Sequence, residues 1–233
     1  MLKVLFVLFL PALISGQTWI SRARVKGSLE YFNNVMQETV YELERREWCN
    51  LKLVDITKTV NQQIYNWHLN GTVLYTNGFV ISVQKLDVTN VLASVASSTI
   101  NGVVVPDATI RGRLNMRDVR IGYDVVLDLT DNETQRYTGD ILTTLIVWEF
   151  QIRKDLLNKE INVTQTLSSL SGGLIRMTYR PANNITEVLS RNFLPSDNWD
   201  GVQAWGANVF NPIILDIVTN KIDFPEVCFS TNC

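Results

Sequence analysis

This sequence contains few cysteines and histidines, and neither positive nor negative charge is in large excess. Its 233 residues include three cysteines and one histidine, and 21 basic residues stand against 23 acidic ones, for a formal net charge of −2. Nucleic-acid-binding proteins carry a basic face or stripe, whereas the basic residues here are scattered. Structural zinc sites use four ligands, mostly cysteine and histidine. We therefore predict no nucleic-acid partner and no metal site.

Motifs of catalysis are also missing. No nucleophile elbow, phosphate loop or metal-ligand spacing accompanies His68, and a Cys49–His68 nucleophile pair would lack a third group to orient it. One predicted strand carries acidic and basic side chains on its polar face, namely Arg117, Asp118, Arg120, Asp124 and Asp128. Cross-strand salt bridges explain these charges more simply than paired-carboxylate catalysis. We predict that the chain is not an enzyme and uses no cofactor.

Residues 1–16, MLKVLFVLFLPALISG, have the features of a secretory signal peptide: a basic residue, Lys3, then an apolar run and a small-residue exit. The apolar run is shorter than the ~20 residues that span a bilayer, which argues against a membrane anchor or stable membrane insertion. No shift in composition and no linker divides residues 17–233. We expect a soluble, extracellular, single-domain chain that begins near Gln17.

Two further features fit a secreted chain. Four Asn-x-Thr sequons predict a glycoprotein with glycans at Asn70, Asn132, Asn162 and Asn184. The disulfide candidates are Cys49, Cys228 and Cys233. Either Cys49 is bonded to the C-terminal tail or the last two cysteines close a small loop, and the sequence leaves both pairings open.

The clearest periodicity lies in residues 110–129, IRGRLNMRDVRIGYDVVLDL. Apolar side chains occupy even positions up to Met116 and odd positions from Val119 onward, and a period of two predicts a strand. The phase change at Arg117 and Asp118 predicts a bulge within one long strand, because these residues lack the Gly or Asn of a tight hairpin. A strand of roughly 65 Å, at about 3.3 Å per residue, is expected to curve around an apolar interior.

Helical spacing appears on both sides of this region. The first helix, with Ser28 as its cap, is predicted to pack an apolar stripe on the sheet, formed by Leu29, Phe32, Met36, Val40 and Leu43. A shorter helix is predicted from Thr57 to Trp67. A C-terminal helix, kinked at Pro212, is predicted from the spacing of Val202, Trp205, Val209, Ile213 and Ile217.

The segments between the helices alternate with a period of two. Asn-Gly pairs at residues 77–78 and 101–102 predict hairpin turns, residues 130–139 predict an exposed loop, and residues 155–160 predict a turn. From Pro181 the chain is expected to leave the sheet. The order of helix, antiparallel strands and helix predicts an α+β fold.

Part of the sequence resembles a known family. The run GRLNMRDVRIGYDV, preceded by NGVVV and followed by GDILTTLIVWEFQIR and INVTQTLSSLSGGLIRMTY, resembles the arthropod family of the group 7 mite allergens and their insect relatives, over about residues 71–224. That family is similar in fold to tubular lipid-binding proteins, among them bactericidal/permeability-increasing, takeout and juvenile-hormone-binding proteins. The resemblance implies a single tubular lipid-binding-type module, with a highly curved antiparallel sheet wrapped around the long N-terminal helix, and an apolar groove between them.

We therefore predict a secreted binding protein for a small hydrophobic or lipid-like ligand. The predicted lining of its groove comprises Phe32, Met36, Val40, Phe79, Ile81, Val83, Leu114, Met116, Val119, Ile121, Tyr123, Ile146, Trp148 and Phe150. The alternative is an extracellular recognition protein for microbial lipids or a protein partner, with an open groove rimmed by Arg111, Arg113, Arg117 and Arg120. A fully packed interior would instead indicate a structural glycoprotein.

Overall fold

The computed structural model describes residues 23–46, 53–64, 67–100, 103–131, 133–171 and 176–229. The predicted signal peptide, Cys49, Asn132 and Cys233 lie outside these residues. In chain order the elements are β1 (Arg24–Val25), α1 (Ser28–Arg45), β2 (Ile56–Ile64), β3 (Trp67–Ser82), β4 (Lys85–Ile100), β5 (Val103–Leu129), β6 (Thr134–Asp155), β7 (Ile161–Ser171), β8 (Thr178–Arg180), α2 (Asn184–Asn192), α3 (Trp199–Trp205), α4 (Asn211–Asn220) and β9 (Val227–Cys228). A 3-10 turn precedes α3, and a π-helical turn joins α3 to α4.

The antiparallel sheet is organised around the 27-residue strand β5. Strand β6 pairs with β5 along most of its length, whereas the other edge of β5 pairs with β4 as far as Arg117 and with β3 from Arg120 onward. Strands β2 and β7 form the outer edges, and β8 pairs with β6. Residues 110–129 therefore belong to one continuous strand, as predicted.

The phase change in β5 differs from the predicted bulge. Asp118 has φ 50°, but the register with β6 does not shift, because Arg117 still pairs with Leu145 and Val119 with Thr143. Strand β6 changes phase at the same place, with buried side chains on even positions beyond Leu145 and on odd positions before it. No extra residue is inserted between the two strands, so both turn their buried faces together. We call the buried side of the sheet the inner face and the opposite side the outer face.

The first Asn-Gly pair does not form the predicted hairpin turn. Asn77 and Gly78 lie inside β3, where Asn77 has φ 52° and the register with β5 shifts by one residue before Phe79. Asparagine adopts this left-handed conformation more readily than most residues, and one bulged residue turns the following side chains over to the other face. The second pair fits the prediction, since Ile100 pairs with Val103 across two connecting residues that are not described.

Helix α1 lies where the apolar spacing predicts a helix, but Gly27 (φ 60°), not Ser28, is its N-cap. The buried face is rotated from the predicted stripe: Leu29 is 60% exposed, and the face comprises Tyr31, Phe32, Val35, Met36, Thr39, Glu42 and Leu43. The Phe32 ring lies over Gly112 of β5, where a Cβ would be 2.5 Å from its Cε1. The missing side chain lets the helix approach the sheet closely.

Two other predictions need correction, and the structure adds one helix. The predicted helix over Thr57–Trp67 is wrong, because β2 pairs with β3 from Ile56↔Tyr75 to Ile64↔Trp67. The loop predicted at 130–139 is shorter, since β6 begins at Thr134. Helix α2 is an addition to the prediction; Asn183 caps it by accepting a 2.9 Å hydrogen bond from the Thr186 N–H.

The C-terminal helical region is continuous from Trp199 to Asn220. The predicted kink was at Pro212; what the structure shows is a π-helical turn, Gly206–Phe210, just before this residue. Helix α4 contacts α1 and β7. The core therefore lies between the inner face of the sheet, α1 and the α3–α4 segment.

Candidate functional site

An apolar pocket of about 240 Å³ opens between α1, the sheet and the α3–α4 segment. It lies where the neighbour of β5 changes from β4 to β3, beside the short connection at Val83 and Gln84. The lining residues are Val40, Leu43, Glu44, Val80, Ile81, Ser82, Val83, Leu86, Leu114, Met116, Trp205 and Phe210.

The floor and the rim of the pocket differ in exposure. Leu114, Met116 and Phe210 are nearly completely buried, whereas Ile81 is 48% exposed and Leu86 is 40% exposed. Trp205 and Phe210 form one wall, with ring centroids 4.3 Å apart in an edge-to-face arrangement. The pocket is therefore a depression into the core whose exposed rim includes Glu44, Ser82 and Leu86.

The described lining is mostly hydrocarbon and aromatic. Glu44 and Ser82 supply polar side chains, and the described lining residues include no lysine or arginine. Pockets for drug-sized ligands usually have volumes of ~300–1,000 Å³, and an engineered cavity of ~150 Å³ holds benzene. A volume of about 240 Å³ suits one ring or one short hydrocarbon chain.

Five of the fourteen predicted lining residues line this pocket: Val40, Ile81, Val83, Leu114 and Met116. Eight others are buried elsewhere in the core, namely Phe32, Met36, Val119, Ile121, Tyr123, Ile146, Trp148 and Phe150. Phe79 lies on the outer face, contrary to prediction, because the bulge at Asn77 places it opposite Gly122. Trp205 and Phe210 were missed as lining residues, although Trp205 belongs to the predicted C-terminal helical pattern.

The predicted basic rim does not surround the pocket. Arg111, Arg113, Arg117 and Arg120 are exposed and alternate with the buried residues of β5, on the outer face. Arg113 Nε donates to Glu149 Oε1 at 2.6 Å, Arg117 Nε donates to Asp87 Oδ2 at 2.8 Å, and Arg120 pairs with Asp140. Most of this positive charge is therefore already balanced by carboxylates.

Cross-strand salt bridges are present as predicted, but with different acids. Arg117 lowers the pKa of Asp87 by hydrogen bonding to its carboxylate. Asp124 accepts a hydrogen bond from Asn77 Nδ2 at 2.9 Å, and Asp128 accepts one from Thr134 Oγ1 at 2.7 Å. These carboxylates therefore have local structural partners.

A cluster of tyrosines closes the other end of the core. The Tyr75 and Tyr179 hydroxyls are 2.9 Å apart, and Tyr123 Oη donates to Asn198 Oδ1 at 2.5 Å. The Phe193 ring lies 4.7 Å from that of Tyr75. Burial raises the pKa of Tyr75 to about 12 and raises those of Tyr123 and Tyr179 further.

Other predicted residues have ordinary surroundings. His68 Nε2 lies 2.7 Å from Asn61 Oδ1 at the surface. The described residues contain no group of three or more His, Cys, Asp or Glu side chains placed to hold a metal ion. Within the described part of the chain, no helix is long and apolar enough to cross a membrane.

Among the predicted modification sites, Asn162 and Asn184 are exposed and Asn70 is half-buried. Cys228 is disulfide-bonded, and both other cysteines lie outside the described residues. The bond excludes a Cys49–Cys233 pair, while the choice of partner for Cys228 stays open. Glycosylation stays a prediction.

Neither a protein-family model nor a curated protein sequence matches the chain. Among solved structures, the chain is similar to the crystal structure of a lipopolysaccharide binding protein, with 12% sequence identity and a TM-score of 0.44. The match covers 85% of this chain and 39% of the other, so the chain spans about two-fifths of that protein's length. The resemblance to the group 7 mite allergens stays a prediction.

Proposed function

We propose that the protein is a secreted binding protein for a small hydrophobic or lipid-like ligand, whose apolar part occupies the pocket beside α1. We base this on the pocket itself: an apolar depression that reaches the buried side chains of Leu114, Met116 and Phe210. In this proposal residues 17–233 form one tubular lipid-binding-type module, as the family resemblance implies. The signal peptide and the exposed sequons support secretion and glycosylation.

The pocket can supply useful affinity from hydrophobic contact alone. A chain of ~8 methylenes would gain about 6 kcal/mol on burial, at roughly 0.8 kcal/mol each, before the penalty of association. The polar end of the ligand would lie at the opening, near Glu44 and Ser82. Because Glu44 is acidic, a neutral head such as an alcohol, ester or amide is favoured over a carboxylate.

The alternative of an extracellular recognition protein has less support. It requires an open groove with a basic rim, and the arginines considered for that rim lie on the outer face. A fully packed structural protein is disfavoured by the pocket.

Native mass spectrometry of the secreted, enzymatically deglycosylated protein, followed by organic extraction, tests the proposal. We expect a stoichiometric apolar molecule, or saturable uptake of an added medium-chain alcohol such as 1-decanol. A bare mass together with no uptake of the alcohol would contradict the proposal.

Two tryptophan substitutions on neighbouring residues locate the binding site. Val40 lines the pocket, whereas Tyr41 is 55% exposed and lies outside the lining. V40W should fill the pocket and abolish uptake of 1-decanol, while Y41W should bind as the wild type does. M116W should block uptake from the floor. Unchanged uptake by both V40W and M116W would place the site elsewhere.

A further inference from the structure

A second depression, of about 400 Å³, lies on the outer face of the sheet, away from the apolar pocket. Four adjacent strands contribute to it: β4, β5, β6 and β7. Its lining residues are Asn90, Leu92, Arg111, Gly112, Arg113, Glu149, Phe150, Gln151, Thr164 and Thr166. We call it the outer hollow.

The strand register explains the shape of the outer hollow. Arg111 pairs with Gln151, and Gln151 pairs with Thr164; the neighbouring row joins Arg113, Glu149 and Thr166. Directly opposed residues lie on the same face with their side chains adjacent. The short threonines of β7 leave space, and the long side chains of β4, β5 and β6 surround it.

One arginine of the outer hollow, Arg111, has no carboxylate partner among the described residues. Arg113 is bound to Glu149, and further along the same face Arg153 is bound to Asp107 at 2.9 Å and Arg117 to Asp87. Arg111 lies between these pairs, is exposed, and has no ion pair or hydrogen bond to another side chain among the described residues. The hollow therefore carries one available guanidinium.

The other lining groups suit a hydroxylated ligand. Thr164 and Thr166 present hydroxyls, and Asn90 and Gln151 present amides, so both donors and acceptors surround Arg111. Leu92 is 69% exposed and offers an apolar surface at one side. A guanidinium binds carboxylate, sulfate or phosphate oxygens in a bidentate manner.

From this arrangement we infer that the outer hollow binds an acidic sugar, whose single anionic group pairs with Arg111 while its hydroxyls bond to Thr166, Gln151 and Asn90. A uronic acid and a sugar phosphate share this chemistry. The site is separate from the apolar pocket, because its side chains lie on the opposite face of the sheet. A failure of either proposal therefore leaves the other untouched.

Titration followed by NMR, with the arginine Nε–H signals observed, tests the inference at low ionic strength, where exposed charges are least screened. The probes are glucuronate and glucose 6-phosphate, with glucose and inorganic phosphate as controls. We expect both acidic sugars to bind in the millimolar range and to shift the Arg111 signal. We expect glucose and inorganic phosphate each to bind about tenfold more weakly, because each lacks one of the two sets of contacts.

Matched variants separate a specific site from general charge attraction. R111Q should weaken the binding of glucuronate by about tenfold. R136Q removes the same charge from an exposed arginine of β6 that does not line the hollow, and it should bind as the wild type does. E149Q should bind more tightly, because it frees Arg113 and removes a negative charge. T166V should bind more weakly, and it leaves the Asn162-Val-Thr164 sequon intact.

The predicted glycan site Asn162 lies near the hollow, two residues before Thr164 on β7, so the titrations are repeated with N162Q. Equal losses in R111Q and R136Q would show general charge attraction and overturn the inference. Inorganic phosphate binding as tightly as glucose 6-phosphate would overturn the sugar assignment. Shifts confined to residues outside the hollow would overturn the location.

Discussion

The tyrosine cluster and the apolar pocket form two ends of the core that both include residues of β3 and β5, but the two ends are filled differently. At one end Tyr75, Tyr123 and Tyr179 combine aromatic contacts with hydrogen bonds. At the other end Met116 and Phe210 present apolar surfaces that line the pocket. Hydrogen bonds require particular distances and angles, whereas apolar contacts are non-directional. The tyrosine cluster is therefore fixed by directional contacts, whereas the apolar contacts leave the space in which we propose that a ligand binds.

The boundary between the two ends lies near Asp118. On one side of it β5 pairs with β4, and on the other side with β3. The pocket lies at this boundary and is lined by residues of both neighbours, Val80 of β3 and Leu86 of β4, whereas Tyr75 and Tyr123 lie beyond it, where β5 pairs with β3. Loss of a buried side chain should accordingly have different effects at the two ends.

The largest difference is expected for truncations. Phe193 is 1% exposed and touches the rings of Tyr75 and Tyr123, so F193A should lower the free energy of unfolding by about 3–5 kcal/mol through an enclosed cavity. M116A should lower it by only about 2 kcal/mol, the lower end for such substitutions, because the new space joins an existing pocket. Urea denaturation of both variants measures the difference.

A matched control for these truncations is L92A, since Leu92 is largely exposed and should change stability by less than about 0.5 kcal/mol. If M116A proved as destabilising as F193A, the pocket end would be as tightly packed as the tyrosine end. The contrast between the ends would then be wrong.

A smaller effect is expected from removing one hydroxyl. Y123F deletes the hydrogen bond to Asn198 Oδ1, and Asn198 is completely buried. The unpartnered oxygen should cost about 1–3 kcal/mol. Y41F removes an exposed hydroxyl from α1 and should be neutral in the same denaturation experiment. A neutral Y123F would mean that the hydrogen bond does not fix this end.

The contrast between the ends was only partly predictable from the sequence. The alternation in residues 110–129 predicted the central strand and its phase change, because period-two burial depends on local sequence. The bulge at Asn77 was mistaken for a hairpin, since an Asn-Gly pair permits the same left-handed conformation in both structures. Because of the bulge at Asn77, Phe79 lies on the outer face and not in the predicted groove. Trp205 and Phe210 reach the pocket through the tertiary packing of a distant helix, which periodicity does not specify.

The smallest expected effects concern the change of stability with pH. Its sign should be opposite for Glu42, beside the pocket, and for the buried tyrosines. Glu42, on the same turn of α1 as the pocket residue Leu43, binds Arg45, Arg46 and Lys221. Hydrogen bonds from the two arginines hold the Glu42 pKa far below its usual value of 4.5. Its contribution to stability is therefore complete above about pH 4.5 and is lost as the pH falls toward the folded pKa.

The buried tyrosines behave in the opposite direction. Their pKa values are raised above the usual value of 10.0 by burial, so their contribution to stability is complete below pH 10 and is lost as the pH rises above it.

The substitution E42Q tests the acid side of this contrast. E42Q should lower Tm by a few degrees at pH 7, and its difference from the wild type should shrink below pH 4.5. E30Q, at an exposed residue of the first turn of α1, serves as the control. A constant difference between E42Q and the wild type from pH 7 to pH 3 would show that Glu42 stabilises α1 by packing and not by charge, because only the charged interaction is lost on protonation.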